Sequence, residues 1–109
     1  MADRARDLLG RDIEALRADV LKAGVLNAKA LQDSAESHVA HLHRMLCESR
    51  DLHEASFRVI DAVIGFAKLL YSQAPVAESE RARRAALAAI DHLAAVADRC
   101  AWREEAISA

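Results

Sequence analysis

Asp51-Leu52-His53-Glu54-Ala55-Ser56-Phe57-Arg58-Val59-Ile60-Asp61-Ala62-Val63-Ile64-Gly65-Phe66-Ala67-Lys68-Leu69-Leu70-Tyr71-Ser72-Gln73-Ala74-Pro75 reads as one helix with a start, a body and a stop. Asp51 followed three residues later by Glu54 matches a capping box, in which each side chain satisfies an amide that the first helical turn leaves free. Leu52, Val59, Val63, Phe66 and Leu70 form one apolar edge, and Phe57, Ile60, Ile64 and Tyr71 a second. Glu54, Arg58, Asp61 and Lys68 make a narrow polar strip, so this helix is expected to be the most buried in the chain. Pro75 ends the segment, because proline lacks the amide that a continuing helix needs and suits the first turn of a new one.

Pro75 is the only proline in 109 residues, and glycine occurs only at Gly10, Gly24 and Gly65. So few breakers leave few places to turn. Upstream, Leu9, Ile13, Leu16 and Val20 recur at four-three-four spacing and predict a helix over about 3–22. Lys22-Ala23-Gly24 reads as its end, with Gly24 free to take the left-handed cap and Asn27 placed to cap the next helix. That second helix is predicted over 27–48, with Ala28, Leu31, Ala35, His38, Leu42 and Met45 along its stripe. A rival reading carries one long helix through Gly24, which costs only about 1 kcal/mol relative to alanine. The stripe changes face at Gly24, which favours the break. Downstream, Ala82, Ala86, Ala89, Ile90, Leu93, Val96, Ala97 and Cys100 predict a fourth helix over about 76–105. Short connections imply antiparallel neighbours. The expected fold is all-α, a single-domain up-down-up-down four-helix bundle over 1–109, with a three-long-helix version as the alternative.

Composition narrows the function. Hydrophobic residues make up 53% of the chain but aromatics only 4%, so the core is aliphatic and each side chain buries modest area. A bundle of this kind gains from self-association, and a homo-oligomer is expected. Net charge is −2, with 15 basic and 17 acidic residues, and the one basic cluster, Arg81, Arg83 and Arg84, is flanked by Glu78 and Glu80. That pattern reads as a solvated helix start and disfavours nucleic acid. No apolar run reaches the roughly 20 residues of a membrane span. The charged start, Met1-Ala2-Asp3-Arg4-Ala5-Arg6-Asp7, lacks a signal peptide's apolar stretch. A cytoplasmic location follows as the expectation, with Cys47 and Cys100 as reduced thiols.

Chemistry concentrates in the second helix, where His38, His41, His43 and Cys47 lie within ten residues. His38 and His41 share one face, while His43 and Cys47 share another. These spacings suit pairs of ligands for a borderline-soft metal, with His53 or His92 available to complete a set. No CxxC, HExxH or paired ExxH motif accompanies them, and the plainer reading has His38 in the seam with His41 and His43 beside the core. The run Ala40-His41-Leu42-His43-Arg44 resembles the phosphoacceptor site of histidine phosphotransfer domains, four-helix bundles of similar size. The resemblance implies His41 as acceptor and Arg44 as the cation three residues on, holding the phosphoryl group. Met45 departs from it, standing where that family keeps a glycine.

Trp102 is the only tryptophan. On a helix running to 105 it shares the polar face with Arg84, Asp91 and Asp98. Exposed there it would anchor a partner, since tryptophan is favoured at interface hot spots. If the last turns bend, it folds back over the end of the bundle. His53, beside Phe57, and His92 read as ordinary surface or loop contacts. No nucleophile elbow, phosphate loop or Ser-His-Asp arrangement is present, and no cofactor motif, so the chain is not expected to be an enzyme. The sequence favours a helical protein–protein interaction module, with Trp102 and Arg84 as the partner-binding residues. Histidine phosphotransfer ranks second and a His/Cys metal-binding protein third.

Overall fold

A computed structural model describes residues 2–103 of the chain, with side chains from residue 6 onward. It is all-helical: α1 (Ala2–Lys22), α2 (Ala28–Met45), α3 (Arg50–Tyr71) and α4 (Val76–Arg99), with a 3-10 turn at Val25–Asn27 between α1 and α2. Each helix packs against its neighbours in sequence, and α4 returns to α1, so the four close into a ring. The molecule measures 47 × 23 × 16 Å. One aliphatic cluster fills its axis, drawing Leu16 and Val20 from α1, Leu31 and Leu42 from α2, Leu52, Val59, Val63 and Phe66 from α3, and Ile90 and Leu93 from α4. Phe66 is its one fully buried aromatic side chain.

The ends of the helices differ from the sequence expectation in five places, one being α2, which stops at Met45 and not at 48 because the chain there pairs with the Ala101–Arg103 segment. Gly24 breaks the chain, so α1 and α2 are separate, but through an extended conformation (φ −148°, ψ −173°) and not a left-handed one. Asn27 closes the 3-10 turn on itself: its Oδ1 accepts from the Gly24 amide at 2.7 Å, and its amide donates back to the Gly24 carbonyl at 3.3 Å. It gives no side-chain cap to α2. At α3 the cap is Ser49, whose hydroxyl oxygen accepts from the Leu52 amide at 3.1 Å. The Asp51–Glu54 box is displaced because α3 starts two residues earlier at the Ser49 cap, which puts Asp51 inside its first turn and leaves Glu54 to pair with Arg50 at 3.1 Å. α4 ends at Arg99, short of the expected 105, of which residues 104 and 105 lie outside the described part.

The chain after Arg99 turns back across the α2–α3 connection. The Cys47 amide donates to the Ala101 carbonyl and the Arg103 amide to the Met45 carbonyl, each at 2.8 Å, forming an isolated antiparallel bridge between Leu46 and Trp102. This bridge stops α4. It satisfies backbone groups of the loop that no helix can reach.

α3 buries eight residues, the most of any helix among the described side chains. They lie on its Leu52–Leu70 edge. The second apolar edge is largely left out of the core: Phe57 is 71% exposed and Tyr71 76%, while Ile64 is half-buried and half-buried Ile60 packs against the core. α2 and α4, with the 3-10 turn at one end, cover one side of α3, which explains why a helix apolar on two edges buries mainly one.

Candidate functional site

Three features stand out: a buried aspartate holding two histidines, a polar cluster at the α2–α3 corner, and an apolar end.

Asp12 lies at the interface of α1 and α2, 8% exposed. His38 Nδ1 is 2.8 Å from its Oδ1 and His41 Nδ1 2.5 Å from its Oδ2. A carboxylate only accepts, so both imidazoles present Nδ1–H to it and leave Nε2 without a part in the contact. The His41 side chain is 40% exposed and that of His38 27%. Asp12 stands next to the seam residue Ile13, and the sequence pattern places it with the polar faces of the first helix. Its burial comes from α2 packing over that flank. Arg44 is exposed, and Met45 points into the core at 7% exposure.

The second cluster joins three pieces of chain. His43 comes from the last turn of α2, Glu48 from the connection and His53 from the first turn of α3. His43 Nδ1 is 3.2 Å from Glu48 Oε1, and His53 Nε2 is 2.5 Å from Glu48 Oε2. The two imidazoles lie 5.1 Å apart, centroid to centroid, tilted by 44°. On the far side of His43, Nε2 is 2.7 Å from the hydroxyl of buried Ser56. Arg103 adds a cation, its Nη2 donating to Glu48 Oε1 at 3.1 Å while Nε donates to the His43 and Leu46 carbonyls. The Glu48 carboxyl is held below its ordinary value, first by the His43 hydrogen bond. Burial opposes that lowering, and the charges of His43, His53 and Arg103 add to it.

Of the four sequence-proposed metal ligands, His38 and His41 meet on Asp12, while His43 joins Glu48 and His53. Cys47 stands apart from both sets, its thiol directed at the Trp102 carbonyl at 3.5 Å. His92 and Arg84 are exposed on α4. Trp102 is off the helix, half-buried, and packed on the core. Its placement on the polar face of a longer helix is therefore corrected: the bridge to Leu46 redirects the chain before Trp102 is reached. Cys100, expected inside the apolar face of the fourth helix, is the half-buried residue that caps it.

Arg83 is not a solvated residue at a helix start. Its side chain is 17% exposed, donates to the carbonyls of Val20, Leu21 and Ala23 at 2.9, 2.8 and 3.3 Å, and stacks 5.0 Å above the Phe66 ring. It ties the end of α1 to α4 by satisfying carbonyls that α1 leaves free.

The third feature is at that same end. Leu21, Val25, Leu26, Tyr71 and Val76 are 56, 45, 103, 76 and 76% exposed. All five flank the α1–α2 corner or the α3–α4 turn, and the 3-10 turn bearing Val25 and Leu26 packs against both α2 and α3. Lys22, Lys29 and Lys68 are exposed around them on α1, α2 and α3, and Glu78 on α4. No helix among the described residues is long and apolar enough to cross a membrane. No protein-family model, curated protein or solved structure matches the chain.

Proposed function

We propose that the chain is a helical protein–protein interaction module that self-associates through its apolar end. One observation carries this reading: five of the seven large hydrophobic residues exposed among the described side chains gather at one end of the bundle. Clustered apolar exposure of this sort marks contact surfaces, whereas scattered single residues do not. A second copy is the favoured occupant. Exposed Lys22, Lys29 and Lys68 on α1–α3 and exposed Glu78 on α4 offer opposite charges around the patch that a two-fold rotation, the usual symmetry of a dimer, would bring together.

The helices in this reading run up-down-up-down. Pairs such as Asp12 with His38, Asp19 with Ser34 and Arg17 with Asp91 support that course, because position rises along one helix as it falls along its neighbour. Trp102 contributes as packing, and the contact surface lies at the other end of the molecule.

Sedimentation equilibrium tests the proposal. The full chain should show a mass above the monomer that rises with concentration. Leu26→Ser combined with Tyr71→Ser should return it to monomer without lowering the melting temperature. A wild-type chain that is monomeric at every concentration would sink the proposal.

A second reading is favoured by the Asp12–His41 contact. With Nδ1–H held by the carboxylate, the His41 Nε2 is left as an outward nucleophile for phosphoryl transfer, and Arg44 is exposed one turn along. Met45, the departure from the phosphotransfer pattern, faces the core and leaves the surface beside His41 clear. A phosphorylated receiver domain should then give acid-labile phosphate on the wild type and none on His41→Gln. Equal labelling of both proteins removes His41 from the role.

A further inference from the structure

We propose that His43, Glu48 and His53 form a binding site for a divalent transition-metal ion, Zn2+ by their chemistry, at the corner between α2 and α3. The three side chains each offer a ligand atom, and these atoms all lie within 4.8 Å of one another. Ligands of one tetrahedral zinc stand roughly 3.3–3.6 Å apart, given metal–ligand bonds of about 2.0–2.2 Å. Small rotations of exposed side chains close that difference: His53 and Glu48 are 65% and 43% exposed. Two imidazoles and a carboxylate make a borderline donor set, suited to zinc and poorly suited to calcium or magnesium.

The hydrogen bonds around His43 can accommodate the same assignment. Ser56 is buried at 4% exposure, and its hydroxyl oxygen lies 2.7 Å from His43 Nε2. Without a metal, Nδ1–H donates to Glu48 at 3.2 Å and Nε2 accepts from the Ser56 hydroxyl. A metal that takes the place of the Nδ1 proton leaves Nε2–H to donate to the same hydroxyl oxygen. Metal-bound histidines commonly donate their second ring N–H to such a fixed oxygen, which sets the tautomer and aims the ligand nitrogen.

Arg103 supplies part of the positive charge at Glu48, through Nη2. Its Nε is held by the His43 and Leu46 carbonyls, so the guanidinium stays in place when the metal takes over the carboxylate. Two charges then share Glu48, which sets the site at modest affinity. Three protein ligands on an exposed corner leave a fourth position facing water, the arrangement of a site open to exchange. The cluster ties the end of α2 to the start of α3, so an ion there also staples the corner.

Calorimetric titration of the metal-free, untagged full chain with Zn2+ alone tests this. One ion per chain is expected. His53→Ala, at an exposed position that carries no core packing, should weaken binding at least about tenfold. Cys47→Ser and His41→Gln should bind as the wild type does. The wild-type imidazole NMR signals of His43 and His53 should shift with zinc while that of His92 stays. Binding unchanged in His53→Ala, binding lost in Cys47→Ser, or no binding by the wild type would each overturn the assignment.

Discussion

Gln73 is the only non-glycine residue with a positive φ among the described residues, at 55°. It stands just past the end of α3, where the Ala74 amide donates to the Leu69 carbonyl and the Gln73 amide to the Leu70 carbonyl. That pair of bonds is the Schellman stop, whose left-handed position glycine fills without strain. A side chain there costs roughly 1 kcal/mol or more. Gln73→Gly is therefore expected to stabilise the protein by up to about 1 kcal/mol, partly offset by the freer unfolded chain. Urea unfolding checks it, and a loss of stability would mean that the Gln73 side chain holds the turn by itself. Individual residues were also where the sequence said least. Asp12 and Arg83 look like ordinary charges in their local strings, and their roles come from helices 26 and 60 or more residues away in sequence. A local reading sees the donor and not the orphaned carbonyl that it meets.

Elements were more legible than residues, because helical periodicity and the breakers Gly24 and Pro75 are local properties. The core face of α4, through Ala86, Ile90, Leu93, Val96 and Ala97, follows the spacing in the sequence. The end of α4 does not, since it is set by pairing between Trp102 and Leu46, 56 residues apart in sequence. The Ser49 cap was hidden for a different reason: two competing caps lie within three residues, and helix propensity does not choose between them. How helices are tied together is similarly non-local, and Arg83 offers the clearest test. Arg83→Ala should cost about 2–3 kcal/mol, because three carbonyls at the end of α1 lose a charged donor. Arg83→Lys should recover less than half of it, as an ammonium cannot reproduce the planar fork. Thermal or urea unfolding of the two variants measures both effects. Full rescue by lysine would reduce the contribution to charge at the helix end.

For the whole molecule, the two ends of the bundle are unlike. One is clasped by the Leu46–Trp102 bridge and carries His43, His53, Glu48 and Arg103; the other exposes Leu21, Val25, Leu26, Tyr71 and Val76. The aliphatic make-up of the core was readable in the composition, and so was the polarity of the surface along the barrel of helices. Which end would be bare was not, since Tyr71 and Phe57 carry the same helical pattern as buried residues. The 47 Å axis of the protomer is twice its second dimension. Joining two such particles by their tips doubles the long axis and leaves the width unchanged, so drag rises faster than it would for a lateral pair of equal mass. The dimer would thus sediment more slowly than its mass suggests, as a rod with a histidine cluster at each tip.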